Sequence, residues 1–383
     1  MKSVNIFALV CLLLSFGGCR PSHDSTPSLA KHTIHFSEDN PAIFDPDEHY
    51  KVTKTIALET TEECLISSID KLYLTDEYII IVEIEKNRIF LFDKAGKFVR
   101  KIGKKGDGPK EYNFFNDIVY DNATQRIYAF ERFRNKMYVY TLDGELEKMI
   151  PSKFAFNSFI KNQYGYWAYT CFEDQNPEKH LLMLLDDNLS TAIKKYFPQK
   201  AFGITQFTPR FEVDNSSGKQ YFYFDRSNII WQLSDSATPY ILVDFGSKNL
   251  PYEKMSQCLS IKSYDALVHE NEYVGFIDQL KITQDKVYFE CRESGLNKRV
   301  ITYKTLYDLN SKQVNVYYAT RHRSNSLPFD FNKLVYITPS EEEVFALFPQ
   351  QLSSNAFASL QDRMPEIKED DNPILFFCNS EVD

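Results

Sequence analysis

The chain has 383 residues, 43% of them hydrophobic and 15% aromatic, with 31 Phe and 24 Tyr against 2 Trp. That apolar content excludes a disordered polymer and supplies a large core, and the Phe and Tyr excess favours strands, where flat, rigid side chains pack well on a pleated surface. The net charge of −9 works against nucleic acid as a partner, because binding a phosphate backbone needs a basic face.

The first element is a leader. Met1–Cys19 reads MKSVNIFALVCLLLSFGGC, a short basic start at Lys2 followed by the apolar run Ile6–Phe16. The run is too short to cross a bilayer as a helix and has the length of a signal-peptide core. Gly17 and Gly18 before Cys19 resemble a bacterial lipoprotein processing site, which implies cleavage before Cys19 and lipid attachment to it. An ordinary cleaved signal with an incidental cysteine is the plainer alternative. Several acyl chains hold a protein firmly to a membrane, so the membrane is an expected partner through this anchor. Arg20 stands where some lipoproteins carry Asp, and by resemblance to Gram-negative lipoproteins that implies the outer membrane. The expected organisation is a signal peptide at 1–18, a polar, Pro/Ser-rich lipidated tether at 19–29 and one folded domain at 30–383.

Within that domain two stretches nearly repeat. Asn87–Ile102 (NRIFLFDKAGKFVRKI) and Asn135–Ile150 (NKMYVYTLDGELEKMI) lie 48 positions apart. Each is an alternating strand, a turn carrying Gly96 or Gly144, and a second strand, which is a β-hairpin written twice at a propeller-like period. Further short strands rich in β-branched and aromatic residues follow at Gln220–Phe224, Lys286–Glu290, Val314–Tyr318 and Glu343–Leu347. They group into six units, at 64–103, 112–150, 154–197, 206–246, 272–318 and 328–377. A helical insertion is expected near 251–270, and a second short helix at Ser354–Met364. The expected fold is an all-β, six-bladed β-propeller of four-stranded antiparallel blades. Because an open sheet edge is an aggregation hazard, the N- and C-terminal strands should close the ring. Either Thr33–Phe36 or Lys54–Leu58 would pair with Pro373–Phe377.

Ile56–Thr60 (IALET), Ile102–Tyr112 (IGKKGDGPKEY) and Asp371–Phe377 (DNPILFF) resemble the Bacteroidetes-type six-bladed β-propeller lipoproteins, a family of unknown function. Gly106, Gly108, Pro109, Glu111 and Tyr112 match its GxGPxEY-like turn. The resemblance covers about residues 30–383 and implies an envelope-anchored propeller. It carries no agreed catalytic residues.

Few motifs carry chemistry. Gly103–Gly108 has the glycines of a phosphate loop but leads through Pro109 into a strand, not a helix, so its glycines are read as turn formers. The seven histidines are scattered, and there is no HExxH, CxxC or GxSxG motif. Neither a metal nor a cofactor is therefore expected, and no catalytic residue is assigned. Five cysteines remain beyond Cys11 and Cys19, and they read as small buried hydrophobes, with one disulfide of unassigned pairing, in an oxidising compartment, as the alternative. Propeller ligands commonly sit at the mouth of the central channel. The polar residues of the expected innermost strands, Ser68, Asn116, Asp117, Asn157 and Arg210, are the candidate ligand-binding set; binding only water is the plainer alternative. The expected function is a non-catalytic binding module in the cell envelope with a protein or glycan partner. The alternative is a hydrolase or lyase acting on an extracellular glycan or peptide at the channel mouth.

Overall fold

The computed structural model describes residues 30–380 apart from 38–40, 171–177, 199–210, 225–226, 252–253, 255–256, 259, 294–300 and 319–332. Six sheets follow one another along the chain, each built on four antiparallel strands. Blade one holds Lys71–Leu74, Tyr78–Glu83, Arg88–Asp93 and Phe98–Lys101, in order from the inside outwards. The inner strands of blades two to six are Asp117–Asp121, Ser158–Asn162, Phe211–Val213, Val274–Ile282 and Leu334–Ile337.

The run YIIIVE in blade one shows why the sequence folds this way. Ile79 and Ile81 join Phe90 and Phe92 in a cluster with blade six, whereas Ile80 and Val82 join Ile89 and Leu91 in a cluster with blade two. Successive side chains leave a strand on opposite faces, so a strand buried on both faces reads as an unbroken apolar run. Six such clusters occur, one at each junction: blades one–two, two–three, three–four, four–five, five–six and six–one. The last junction makes the array a ring.

The repeated hairpins are three-residue turns followed by a bulge. Gly96 (φ 85°) and Gly144 (φ 87°) occupy the left-handed position, and each donates its N–H back to the start of the turn, to Asp93 and Thr141. The register shifts just beyond the turn in both hairpins, as this loop class requires. In blade three Leu189 takes the same position at φ 52° and is fully buried. Burying a leucine is worth about 2 kcal/mol and offsets a left-handed penalty of about 1–2 kcal/mol, which explains why the repeat fades there in sequence.

The ring closes through Tyr50–Ala57, which pairs antiparallel with Ile374–Ser380 as the outer strand of blade six. Of the two closing segments considered from sequence, the later one is used. The earlier, His32–His35, lies parallel on Ala237–Asp244 at the outer edge of blade four, with Ile34 buried at the junction of blades four and five. Ala42–Ile43 lies in the same manner on blade five, and Phe44 is buried beyond it. The N-terminal segment is thus a strap around the rim that covers two sheet edges in succession.

The helical insertion is Ile261–Asn271, started by a reciprocal Ser260–Ser263 capping box and ended by Glu272 at φ 56°. A second helix, Ser354–Gln361, sits in the long connection between the second and third strands of blade six. Cys64, Cys258, Cys291 and Cys378 are buried free thiols, as expected; Cys171 lies outside the described residues.

Candidate functional site

Each inner strand starts at the same end of the central channel, the end where the chain crosses from one blade's outer strand to the next blade's inner strand. Asp70, Asn116 and Asn157 occupy the position just before the inner strands of blades one, two and three. Each donates its backbone N–H to the neighbouring second strand, at Val82, Phe130 and Tyr169. The Asp70 carboxylate also accepts the N–H of Ile84, and the Asn116 amide oxygen that of Arg132. The Asp70 and Asn116 side chains thus fasten the turn that follows the second strand.

A second repeated device sits beside this one. Glu83 and Glu131, both buried at the ends of equivalent strands, reach back to the chain entering their blades. Glu83 accepts the N–H groups of Ser67 at 2.6 Å and Ser68 at 3.1 Å and pairs with Arg88. Glu131 accepts the Asn113 N–H at 3.3 Å and the Tyr138 hydroxyl at 2.8 Å.

Among the described residues the channel wall carries two ion pairs between inner strands. Lys71 Nζ lies 2.6 Å from Asp117 Oδ1 and 3.0 Å from the Ile118 carbonyl. Asp117 Oδ2 accepts the Phe159 N–H of blade three at 3.0 Å, so one carboxylate joins three successive blades. Opposite in sequence order, Lys281 of blade five reaches Glu212 of blade four at 3.1 Å. Burial works against the Lys71 charge, but Asp117, with Tyr73 and Glu212 adding, holds its ammonium above the ordinary lysine range. Burial raises the Glu212 carboxyl, with Lys281 and Lys71 pulling the other way. Two phenols lie with these charges: Tyr73, which donates to the Ile118 carbonyl, and Tyr336, which burial pushes up to about 12.

The expected site residues therefore fall as follows. Asn116, Asp117 and Asn157 are buried at the inner-strand starts, and Ser68 is half-buried on the entry to blade one. Arg210 lies outside the described residues. Lys71, Tyr73, Glu212, Lys281 and Tyr336 were missed from sequence. One signal was available for Lys71: it begins its inner strand as Asp117 begins the next, so opposite charges at the first position of neighbouring units invite a pair.

The GxGPxEY turn proves structural. Gly103 (φ 75°) lies under Tyr112 and Tyr140, with too little room for a Cβ. Glu111 accepts the Gly108 N–H at 2.9 Å and pairs with Lys104 at 2.6 Å. Tyr112 donates to the Asn87 carbonyl at 2.7 Å and stacks on Phe115. Its glycines serve a tight connection. Among the described residues no three of His, Cys, Asp and Glu gather as metal ligands would, and none of their helices is long and apolar enough to cross a membrane. A groove of about 240 Å³ lies away from the channel, between the closing strand at Val52–Thr55 and Leu360, Arg363 and Met364.

Fold and channel together define a six-bladed β-propeller whose central wall is bound by paired charges. The chain belongs to the family described as a domain of unknown function (DUF4934), whose model matches residues 33–379. Among solved structures it is similar to a Bacteroides fragilis protein named as exported, at 17% identity and a TM-score of 0.70, covering 92% of this chain and 99% of that one. It is also similar to a member of the DUF4221 family from Bacteroides vulgatus, at 10% identity and a TM-score of 0.55, covering 88% and 100%. Both likenesses are of fold. No curated protein matches the sequence significantly.

Proposed function

We propose that this protein is a non-catalytic binding module of the cell envelope, anchored through lipid on Cys19 in the outer membrane, with an envelope protein or glycan as partner. The observation that carries the reading is the commitment of the channel carboxylates. Asp117 is held by Lys71 and by two backbone amides, its own neighbour Ile118 and Phe159, and Glu212 is held by Lys281. General acid–base work needs a carboxyl placed against a substrate, whereas these two are spent on lysines of neighbouring inner strands. A rigid disc with loops on both faces suits recognition, and the exported Bacteroides relative of the same fold supports an envelope setting.

Two measurements test this. Cys19→Ala should move the protein from the membrane fraction to the soluble fraction; unchanged membrane retention overturns the anchor. Affinity purification from native envelope should then recover a protein or glycan in stoichiometric amount. A clean monomer with nothing bound, or cleavage of envelope glycan or peptide that is lost in Asp117→Asn or Glu212→Gln, overturns the binding module.

A further inference from the structure

The face of the disc opposite the blade entries carries the turns that join each first strand to its second and each third to its fourth. The six inner turns on that face all lie among the described residues. The inner turn of blade three, between Ser158–Asn162 and Gly165–Tyr169, is two residues long, Gln163 and Tyr164. Tyr164 stands 45% exposed there, and none of the other five inner turns carries an aromatic side chain. The equivalent turns present Asp76 and Glu77 in blade one, Asn122 and Thr124 in blade two, and Ser217 and Lys219 in blade four. Single apolar residues are common on surfaces and need no explanation by themselves. What sets Tyr164 apart is its mount. Its N–H donates to Asn162 Oδ1 at 2.9 Å, and Asn162 Nδ2 donates in turn to the Ser234 carbonyl of blade four at 3.2 Å. Trp167 Nε1 reaches the same carbonyl at 3.0 Å, and Gln220 of blade four donates to the Lys161 carbonyl at 2.6 Å. These bonds tie the hairpin to the next blade, so the ring stands on a base that is already fixed.

The border of the ring is polar. Gln163, Asn188 and Ser234 are exposed. Asp187 is paired with Lys161 at 3.1 Å and Asp235 with Lys194 at 3.0 Å, so neither carboxylate is an uncompensated charge. Amide, hydroxyl and carboxylate oxygens around one flat apolar ring match a sugar. The C–H face of a pyranose lies on the ring, and its hydroxyls bond to the border. A single ring is too little apolar surface for the centre of a protein interface, which buries about 1,000 Å² or more in all. A fixed platform also has little freedom to lose on binding. We propose that Tyr164 is the stacking platform of a site for a neutral oligosaccharide on blade three, with Gln163, Asp187 and Asn188 bonding to its hydroxyls. This rests on the reading of the protein as a binding module, and of its two partner classes it selects the glycan.

Titration calorimetry of the full chain in a sugar-free, non-ionic detergent tests this. The probes are maltohexaose, cellohexaose, xylohexaose and mannohexaose, with hexagalacturonate as the charged comparison. At least one neutral probe is expected to bind with a Kd of about 1 mM or tighter, equally well at about 0.05 M and about 0.5 M salt, because no net charge is neutralised. Tyr164→Ala should weaken binding roughly tenfold with an unchanged thermal midpoint, whereas Tyr164→Phe, which keeps the ring, should change it by less than about threefold. No binding of any neutral probe, binding that survives Tyr164→Ala, or a preference for hexagalacturonate that salt abolishes overturns the proposal. If a protein then still co-purifies from native envelope, the binding module stands and only the glycan site falls; if nothing does, both fall.

Discussion

Lys71 and Asp117 hold equivalent positions in neighbouring blades, and their side chains meet at 2.6 Å on the channel wall. Neither strand is a sequence neighbour of the other, so the contact exists only once two blades stand side by side. Asp117 then passes the link to blade three through the Phe159 N–H. The expected consequence is thermodynamic. Asp117→Asn leaves a mostly buried ammonium without its counter-ion and should cost about 2–4 kcal/mol. Urea unfolding should show a lower midpoint with an unchanged slope. Lys71→Met combined with Asp117→Asn should cost less than the two single changes added together; simple additivity would show that the pair is not coupled.

Gly96 and Gly144 are interchangeable in the sequence repeat and not in the structure. Both have φ near 85°. A Cβ on Gly96 would stand 2.2 Å from the Ala57 carbonyl oxygen of the closing strand, whereas one on Gly144 meets nothing nearer than 3.6 Å. Gly144→Ala should therefore carry only the left-handed cost of about 1–2 kcal/mol, and Gly96→Ala clearly more. Equal losses in thermal unfolding would refute the difference.

Asn372 is buried where the ends of the chain meet. Its amide accepts the Ile66 N–H at 2.7 Å and donates to the carbonyls of Glu59 and Cys64, and its backbone N–H bonds to Thr60. Asn372→Ala should cost about 2–4 kcal/mol, since it strands several buried polar groups. Removing the last dozen residues takes away the partner strand of Tyr50–Ala57, and that truncation should be insoluble. A soluble, cooperatively folded product would count against closure.

Glu343 gives the expected pH dependence. It is buried at the junction of blades five and six, where the Tyr288 hydroxyl donates to it at 2.6 Å. Burial pushes its carboxyl from 4.5 to about 7, with Tyr288, Tyr50 and Lys286 opposing. The folded chain therefore keeps this proton over a range in which the unfolded chain has released it. The group's contribution to stability is full below about pH 4.5, declines as pH rises towards 7, and is level above that. The decline amounts to about 3 kcal/mol. Glu343→Gln should flatten this part of the profile and gain on the parent above pH 7. An unchanged slope between pH 5 and 7 would show that Glu343 is ionised throughout.

The blade and the count of six blades were legible along the chain. Apolar runs such as Tyr78–Glu83, short, rich in β-branched residues and bounded by turns, read as strands buried on both faces, and the hairpin repeat sets the spacing from one blade to the next. That information is local: strand alternation, turn glycines and the bulge are properties of a few consecutive residues. Which N-terminal segment closes the ring follows from contacts between blades. His32–His35 and Tyr50–Ala57 are both short strands, and only the edges offered by blades four and six distinguish them. The same contacts set Asp117 against Lys71 and Glu212 against Lys281, and crowd Gly96 while leaving Gly144 open. Each of these depends on the packing of blades distant in the chain, and a side chain's partner across such a junction leaves no periodicity to read.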